Sequence, residues 1–307
     1  MTKKKNIVIT GVSGQDGQIL SNILLKKKFN VIGIVKKIPK VKKNKIKFKK
    51  LNLLNYHELS KFLDRCKLKS LIHLGTENPN YLELKKKVDF YRKNLTATKN
   101  LIDYFSKRQI NQRLILIGSS QMYGNKKKKV NLNSRFKPIN SYAKFRVEAY
   151  NYMLKSKRKY KSNMVTAILF NHDSKFRKKK FLIPRLVKII KEKQVKKLRS
   201  IYKENISGDF SHAEDICNGL YKLLLLKSSP DKLIFSSNKR TYINEIIHHL
   251  IKINKLKINL NTDILKNTYT PIGDNRLTKK ILNWKAKKNI FSAARELNKQ
   301  SFFNENF

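Results

Sequence analysis

Residues 7–17 read IVITGVSGQDG. Ile7-Val8-Ile9-Thr10 is a short apolar run that stops at a glycine, the pattern of a buried strand. Gly11, Gly14 and Gly17 follow at Gly-x-x-Gly-x-x-Gly spacing, and Gln18 to Lys28 then carries Ile19, Leu20, Ile23 and Leu24 at helical spacing. A strand, a glycine turn and a helix in that order let the backbone come close to a pyrophosphate and aim a helix N-terminus at it. Gly11, Gly14, Gln15, Asp16 and Gly17 are therefore candidate cofactor contacts.

The same alternation continues outward. Val31 to Val35, Leu71 to Leu74, Leu114 to Ile117 and Val165 to Phe170 are strand-like, with helical stretches at His57 to Lys67 and Asn94 to Lys107. Pro184 to Lys193 and Glu214 to Lys227 look helical, and Leu233 to Ser236 reads as one more strand. The order predicts an α/β fold, a Rossmann-type doubly wound parallel sheet with a smaller C-terminal substrate-binding lobe. We expect residues 1–165, with a return at 207–240, to hold the cofactor, and 166–206 with 241–307 to form the lobe. The Lys-rich stretches 36–50 and 126–129 read as surface loops.

Composition sets further bounds. The 307 residues suffice for one elaborated α/β domain or two small ones, and 40% are hydrophobic. Cys66 and Cys217 match no metal spacing, which predicts a reducing, cytoplasmic setting and no metal. The N-terminus resembles no signal peptide, and no apolar stretch is long enough to span a bilayer. Lys and Arg number 71 against 20 Asp and Glu, a net charge of +51. Two readings stand: an anionic partner such as nucleic acid, or a codon bias toward A/T, since Lys, Asn, Ile, Phe and Tyr are all abundant. The lysines are spread along the chain, so neither a specific nucleic-acid site nor a membrane contact is expected.

Where the second strand ends, an acid usually holds the adenosine ribose of NAD. Here Val35 is followed by Lys36 and Lys37, cations that suit the 2′-phosphate of NADP. Downstream, Ser141-Tyr142-Ala143-Lys144-Phe145-Arg146 puts a cation one helical turn from a tyrosine, on the same face. Such a cation steadies the charge that a phenol acquires on giving up its proton, which suits acid–base work. Ser119, at the end of the LILI strand, supplies a hydroxyl for a sugar oxygen.

Ser119, Tyr142 and Arg146 together resemble the Ser, Tyr and Lys arrangement of short-chain dehydrogenases, with Arg146 at the Lys position. More narrowly, the chain resembles the GDP-mannose 4,6-dehydratase family. The resemblance rests on ITGVSGQDG (9–17), GSSQMYG (118–124), INSYAKFR (139–146), ILFNHDS (168–174) and GDFSHAEDI (208–216), in the family's order. GQDG and ILFNHDS are its most specific parts. Ile272-Gly273-Asp274-Asn275 and Leu282-Asn283-Trp284-Lys285 extend it through the tail.

The resemblance implies a reaction on a nucleotide-sugar, GDP-mannose, with NADP. Hydride leaves C4 of the sugar, Tyr142 acts as base for the 4-hydroxyl, a carboxylate removes the C5 proton, water leaves C6, and hydride returns there. It implies that Ser119 binds the 4-oxygen, that Asn171 and Arg185 hold the nucleotide-sugar, and that the protein forms a homo-oligomer. His212 and Asp215 fit the family pattern either as site residues or as structural ones, Asp215 being placed to cap the helix after it.

The chain also departs from that pattern. Gln121 stands where the family has the proton-abstracting Glu, and an amide is no base. Arg146 replaces Lys with a wider fork. Asn52 replaces an acid near the adenine. Leu265-Lys266-Asn267-Thr268 stands where an Arg-Pro-x-Glu segment is expected, and Gly208 stands in place of an Arg before Asp209. These departures keep two alternatives open: an NADP-dependent nucleotide-sugar reductase or epimerase, and a non-catalytic binding protein. Glu77 is a further carboxylate, either a substitute base or a loop charge.

Overall fold

A computed structural model describes residues 6–39, 45–77, 89–108, 111–260 and 262–300. The elements of the sheet half are β1 (Asn6–Thr10), α1 (Gln15–Lys26), β2 (Asn30–Val35), β3 (Lys47–Lys50), α2 (Tyr56–Arg65), β4 (Leu68–His73), α3 (Phe90–Lys107) and β5 (Arg113–Ser119). A 3-10 turn (Ser120–Tyr123), β6 (Lys129–Val130), α4 (Ser141–Tyr160), β7 (Met164–Leu169) and β8 (Asn171–Asp173) follow. Then come α5 (Leu182–Lys191), α6 (Val195–Lys203), β9 (Ser207–Gly208), β10 (Phe210–His212), α7 (Ala213–Leu225), β11 (Lys232–Phe235) and β12 (Thr241–Tyr242). The chain closes with α8 (Ile243–Ile253), β13 (Ile272–Gly273), α9 (Arg276–Leu282) and α10 (Ile290–Asn298).

Seven strands form one sheet in the order β3-β2-β1-β4-β5-β7-β11, all parallel. This is the doubly wound arrangement expected from the alternation. The middles of the central strands are apolar because both faces are covered. On one face, Ile19, Leu20 and Leu24 of α1 meet Ile216, Leu220 and Leu223 of α7. On the other, Leu59 and Leu63 of α2 pack with Leu101 and Phe105 of α3 and Met153 of α4. A separate core of Ile183, Leu186, Ile190, Ile246, Leu250 and Leu297 holds α5, α8 and α10 together.

Chain order reverses between β1 and β4, so a crevice opens at their carboxyl ends, where open α/β sheets hold their ligands. The short pairs β8–β10, β9–β12 and β6–β13 stitch the later segments around that crevice.

Two Lys-rich stretches differ from expectation. Residues 40–44 lie outside the described residues, but Lys47–Lys50 is edge strand β3, and Lys129 pairs in β6. Alternating lysines suit an edge strand because their charges discourage pairing with a second chain. Among the described residues no helix is long and apolar enough to cross a membrane, and no cluster of His, Cys, Asp or Glu could hold a metal.

Candidate active site

The glycine loop is built by close contact. Gly11 has φ +69°, and a Cβ there would lie 2.6 Å from the Gly75 Cα. A Cβ on Gly17 would lie 2.4 Å from the Gly11 carbonyl oxygen, so α1 can seat itself on the loop only as glycine allows. Gly14 caps α1 without any side-chain bond, which leaves the first-turn N–H groups to an anion. Behind the loop, Thr10 Oγ1 accepts from Gly75 N (2.9 Å) and meets His73 Nδ1 at 2.7 Å, while His73 Nε2 meets Thr98 Oγ1 at 3.2 Å. Burial, with the Arg146 charge, pushes this imidazole down to about 3, so it is neutral and joins the ends of β1 and β4.

The loop opens on a cleft of about 720 Å³ bounded by β1, β4, β5, β7 and residues 171–185. Gly11, Gly14, Gln15, Asp16, Gly17, Ser119, Gln121, Tyr142, Arg146, Asn171 and Arg185 all line it. Lys36, Lys37 and Asn52 are not among its lining residues. Lys36 and Lys37 are exposed just past β2, where Lys36 pairs with Glu77. Asn52 turns its Oδ1 to Leu54 N at 3.1 Å.

Asp16 is committed elsewhere than to a cofactor alone. Its two carboxylate oxygens lie 3.1 Å from His172 Nε2. His172 Nδ1 lies 2.6 Å from the Phe170 carbonyl, which can only accept. Both ring nitrogens therefore carry protons, and the imidazole is charged. Burial would lower the His172 pKa, but the Asp16 charge outweighs it and raises it. Burial would raise Asp16, and the His172 charge and hydrogen bond bring it down to about 2. Gln15 Nε2 donates to the His172 carbonyl (3.3 Å) and accepts at Oε1 from Ser174 Oγ (3.1 Å). The GQDG loop and the NHDS segment, bonded through pairs 156 to 159 residues apart in the chain, are thus joined.

Asn140 caps α4 by accepting from Ala143 N at 2.8 Å, and this helix carries Tyr142 and Arg146. Arg146 is 6% exposed. Its Nη2 donates to Tyr142 Oη at 3.0 Å and to Thr76 Oγ1 at 2.7 Å, and its Nη1 donates to the Ile117 carbonyl. The wider fork of arginine is therefore seated by three oxygens, and the tyrosine is one of them. Ser119 ends β5, and its Oγ accepts from Gln121 N at 3.3 Å. Gln121 Oε1 accepts from Asn140 Nδ2 at 2.9 Å. Glu77 lines the cleft too, with its backbone clamped by Asn94 through two bonds of 2.8 Å.

Thr76, Asn94 and Asn140 escaped the sequence reading. Nothing local distinguishes a loop threonine or a mid-helix asparagine; only the Asn140 capping position before Ser141 was a signal available in the sequence.

His212 and Asp215 lie away from the cleft. His212, rather than Asp215, caps α7: its Nδ1 accepts from Glu214 N at 3.2 Å. Asp215 sits in the first turn and accepts from Lys287 N (2.6 Å) and Lys288 N (2.5 Å), holding the C-terminal segment. Asp209 is fully buried and accepts from Ser237 N, Ser237 Oγ, Asn238 N and Gly273 N. Burial pushes its carboxyl up to about 6 against the pull of these donors. At Gly208 a Cβ would stand 1.8 Å from Thr270 Oγ1, so the arginine absent there has no room. Leu265 to Thr268 runs against Lys203 and Glu204 through backbone bonds.

The family profile described as GDP-mannose 4,6 dehydratase matches residues 8–297. GDP-mannose 4,6 dehydratase 1 of Arabidopsis thaliana is 24% identical over 92% of this chain and 86% of its own length. The human GDP-mannose 4,6 dehydratase is 23% identical over 80% of this chain and 72% of its own. Among solved structures, the dTDP-glucose 4,6-dehydratase of Bacillus anthracis, in complex with NAD, superposes with TM-score 0.79 at 16% identity, covering 96% of this chain and 95% of that one. The UDP-glucuronic acid 4-epimerase of Bacillus cereus, in complex with NAD, gives 0.76 at 17% identity, covering 95% and 98%. A profile match running almost from end to end, over a fold shared with those enzymes, means that this chain belongs to the GDP-mannose 4,6-dehydratase family.

Proposed function

We propose that the protein binds NADP and GDP-mannose and oxidises the sugar at C4, the opening step of a 4,6-dehydration. The observation that carries this is the Tyr142–Arg146 contact of 3.0 Å, set in the same cleft as Ser119 and the open N-terminus of α1. Tyr142 Oη, as the phenolate that Arg146 steadies, takes the proton of the 4-hydroxyl and becomes a neutral phenol, and Ser119 Oγ bonds the same sugar oxygen. A nicotinamide nucleotide held in this cleft would supply the hydride acceptor for C4. The uncapped first turn of α1 suits a pyrophosphate, and Arg185 and Asn171, which line the same cleft, are the proposed contacts to the nucleotide-sugar. Relatives of this fold hold NAD in their solved structures, which supports a nicotinamide nucleotide here. Lys36 and Lys37 favour the 2′-phosphate form. Two free cysteines suit a cytoplasmic setting.

Purified protein with NADP and GDP-mannose should release a 4-keto-6-deoxy sugar. No product at high enzyme concentration sinks the dehydration.

A second reading is favoured by one observation. Gln121 stands where a base is needed, and its oxygen is already occupied by Asn140. The other cleft carboxylates, Asp16 and Glu77, pair with His172 and Lys36. A nucleotide-sugar reductase or epimerase needs Tyr142, Ser119 and a cation but no carboxylate at position 121. NADPH oxidation by a 4-keto sugar supports it; a panel of keto sugars that leaves NADPH untouched counts against it.

A further inference from the structure

Asn140 and Gln121 determine each other's orientation. The Ala143 N–H can only donate, so the Asn140 atom 2.8 Å from it is the side-chain oxygen. Asn140 therefore turns its NH2 to Gln121, and the Gln121 atom 2.9 Å away is the amide oxygen. Gln121 lines the cleft, and its NH2 has no protein partner among the described residues. The Gln121 backbone N also bonds Ser119 Oγ, so the residue that carries this donor is anchored at the hydroxyl proposed to address the reacting carbon.

A donor oriented in this way does more than fail as a base. A sugar hydroxyl can turn to meet either a donor or an acceptor, so it does not sense the amide's orientation. An oxygen that can only accept, such as a ring carbonyl or a C6 carboxylate, does. A glutamate at this position would repel both. We propose that Asn140 is a positioning residue that makes Gln121 a fixed donor, and that the site thereby selects a nucleoside-diphosphate sugar bearing an acceptor-only oxygen at or beside C4. The proposal rests on the nucleotide-sugar reading above. Neither a 4-keto sugar nor a hexuronate asks position 121 to take a proton.

The test is calorimetric binding with NADP present, of GDP-mannose, GDP-4-keto-6-deoxymannose and GDP-mannuronate. The wild-type protein should hold at least one acceptor-only sugar about fivefold more tightly than GDP-mannose. The keto and carboxylate arms show which oxygen is read. Asn140→Asp keeps the helix cap but removes the NH2, which frees the Gln121 amide to invert. The ratio of affinities, acceptor-only sugar to GDP-mannose, should then fall about tenfold. Asn140→Ser, a neutral cap, should lower the ratio by a smaller factor. A wild-type ratio of one or less, or a ratio unchanged in both variants, overturns the proposal. If none of the three sugars binds, the functional reading itself falls and takes the proposal with it.

Discussion

The Asp16 carboxylate receives the Nε2 proton of His172 with both oxygens at 3.1 Å, joining the glycine loop to the strand that follows β7. The pair should leave a signature in stability against pH. Asp16 is lowered to about 2 from an ordinary 3.8, so its contribution is full above 3.8 and is lost as pH falls through 2. His172 is raised from 6.5, so its contribution is full below 6.5 and is lost as pH rises through the higher folded value. Both are present between about pH 4 and 6.5. In that window His172→Gln should cost roughly 2 kcal/mol, a few degrees in Tm, and the deficit should shrink toward pH 9. Scanning calorimetry of both proteins across this range checks it. An equal deficit at pH 5.5 and pH 9 would show that the contact is not ionic.

Thr76 seats the arginine that touches Tyr142. Removing its hydroxyl while keeping its shape, in Thr76→Val, leaves Nη2 free to drift. Turnover should drop about tenfold with KM little changed, and Thr76→Ser should restore most of it. The acidic limb of the pH–rate profile, where a general base becomes protonated, should move in Thr76→Val alone. A profile identical in all three proteins removes Thr76 from the proton chemistry.

Gln121→Glu places a carboxylate where Asn140 Nδ2 already donates, so the new group is oriented on arrival. Dehydration of GDP-mannose should rise by at least about 100-fold, measured by mass spectrometry as a product lighter by one water. A variant that binds GDP-mannose and stays silent would show that more than this base is missing.

The proposed preference for NADP rests on the exposed Lys36 and Lys37 just past β2. Lys36→Ala with Lys37→Ala should weaken NADPH binding about tenfold and leave NADH within about twofold. Fluorescence titration of both nucleotides decides it. Parallel losses for the two would remove the 2′-phosphate from the explanation.

Gly208→Ala drives a methyl group toward Thr270 Oγ1, 1.8 Å from the ideal Cβ. The variant should lose about 1–3 kcal/mol in urea unfolding, and adding Thr270→Ala should return part of it. Full stability of the single variant would mean that the β9 segment yields at no cost.

The sheet was legible because each central strand holds a short apolar run close to a glycine or a helix period. Val8, Leu71 and Leu114 could be placed from the pattern alone. β3 was not, because alternating lysines on an edge look like a solvated loop until a neighbour supplies hydrogen bonds. The site was half legible. Tyr142 and Arg146 are one turn apart on one helix, so the sequence contains their geometry. Thr76 reaches Arg146 from a residue 70 positions earlier, and no local pattern encodes that. The reading of Asp215 as a cap failed for a related reason: its partners, Lys287 and Lys288, arrive from the far end of the chain.

The pairing of β13 with β6 bears on how the molecule is made on the ribosome. Gly273 N completes the bonds to buried Asp209, Asn275 Nδ2 reaches the Ser236 carbonyl, and Trp284 covers Phe235 at a ring distance of 5.2 Å. All three come from the last eighth of the chain. Until it emerges, the outer sheet strand β11 has an uncovered aromatic face and Asp209 lacks a donor. A nascent chain can assemble β1 to β7 early, but the last side of the fold must wait for residues 273–284. Nonsense truncation just before residue 272 should therefore yield a sticky, aggregation-prone product and not a smaller working enzyme.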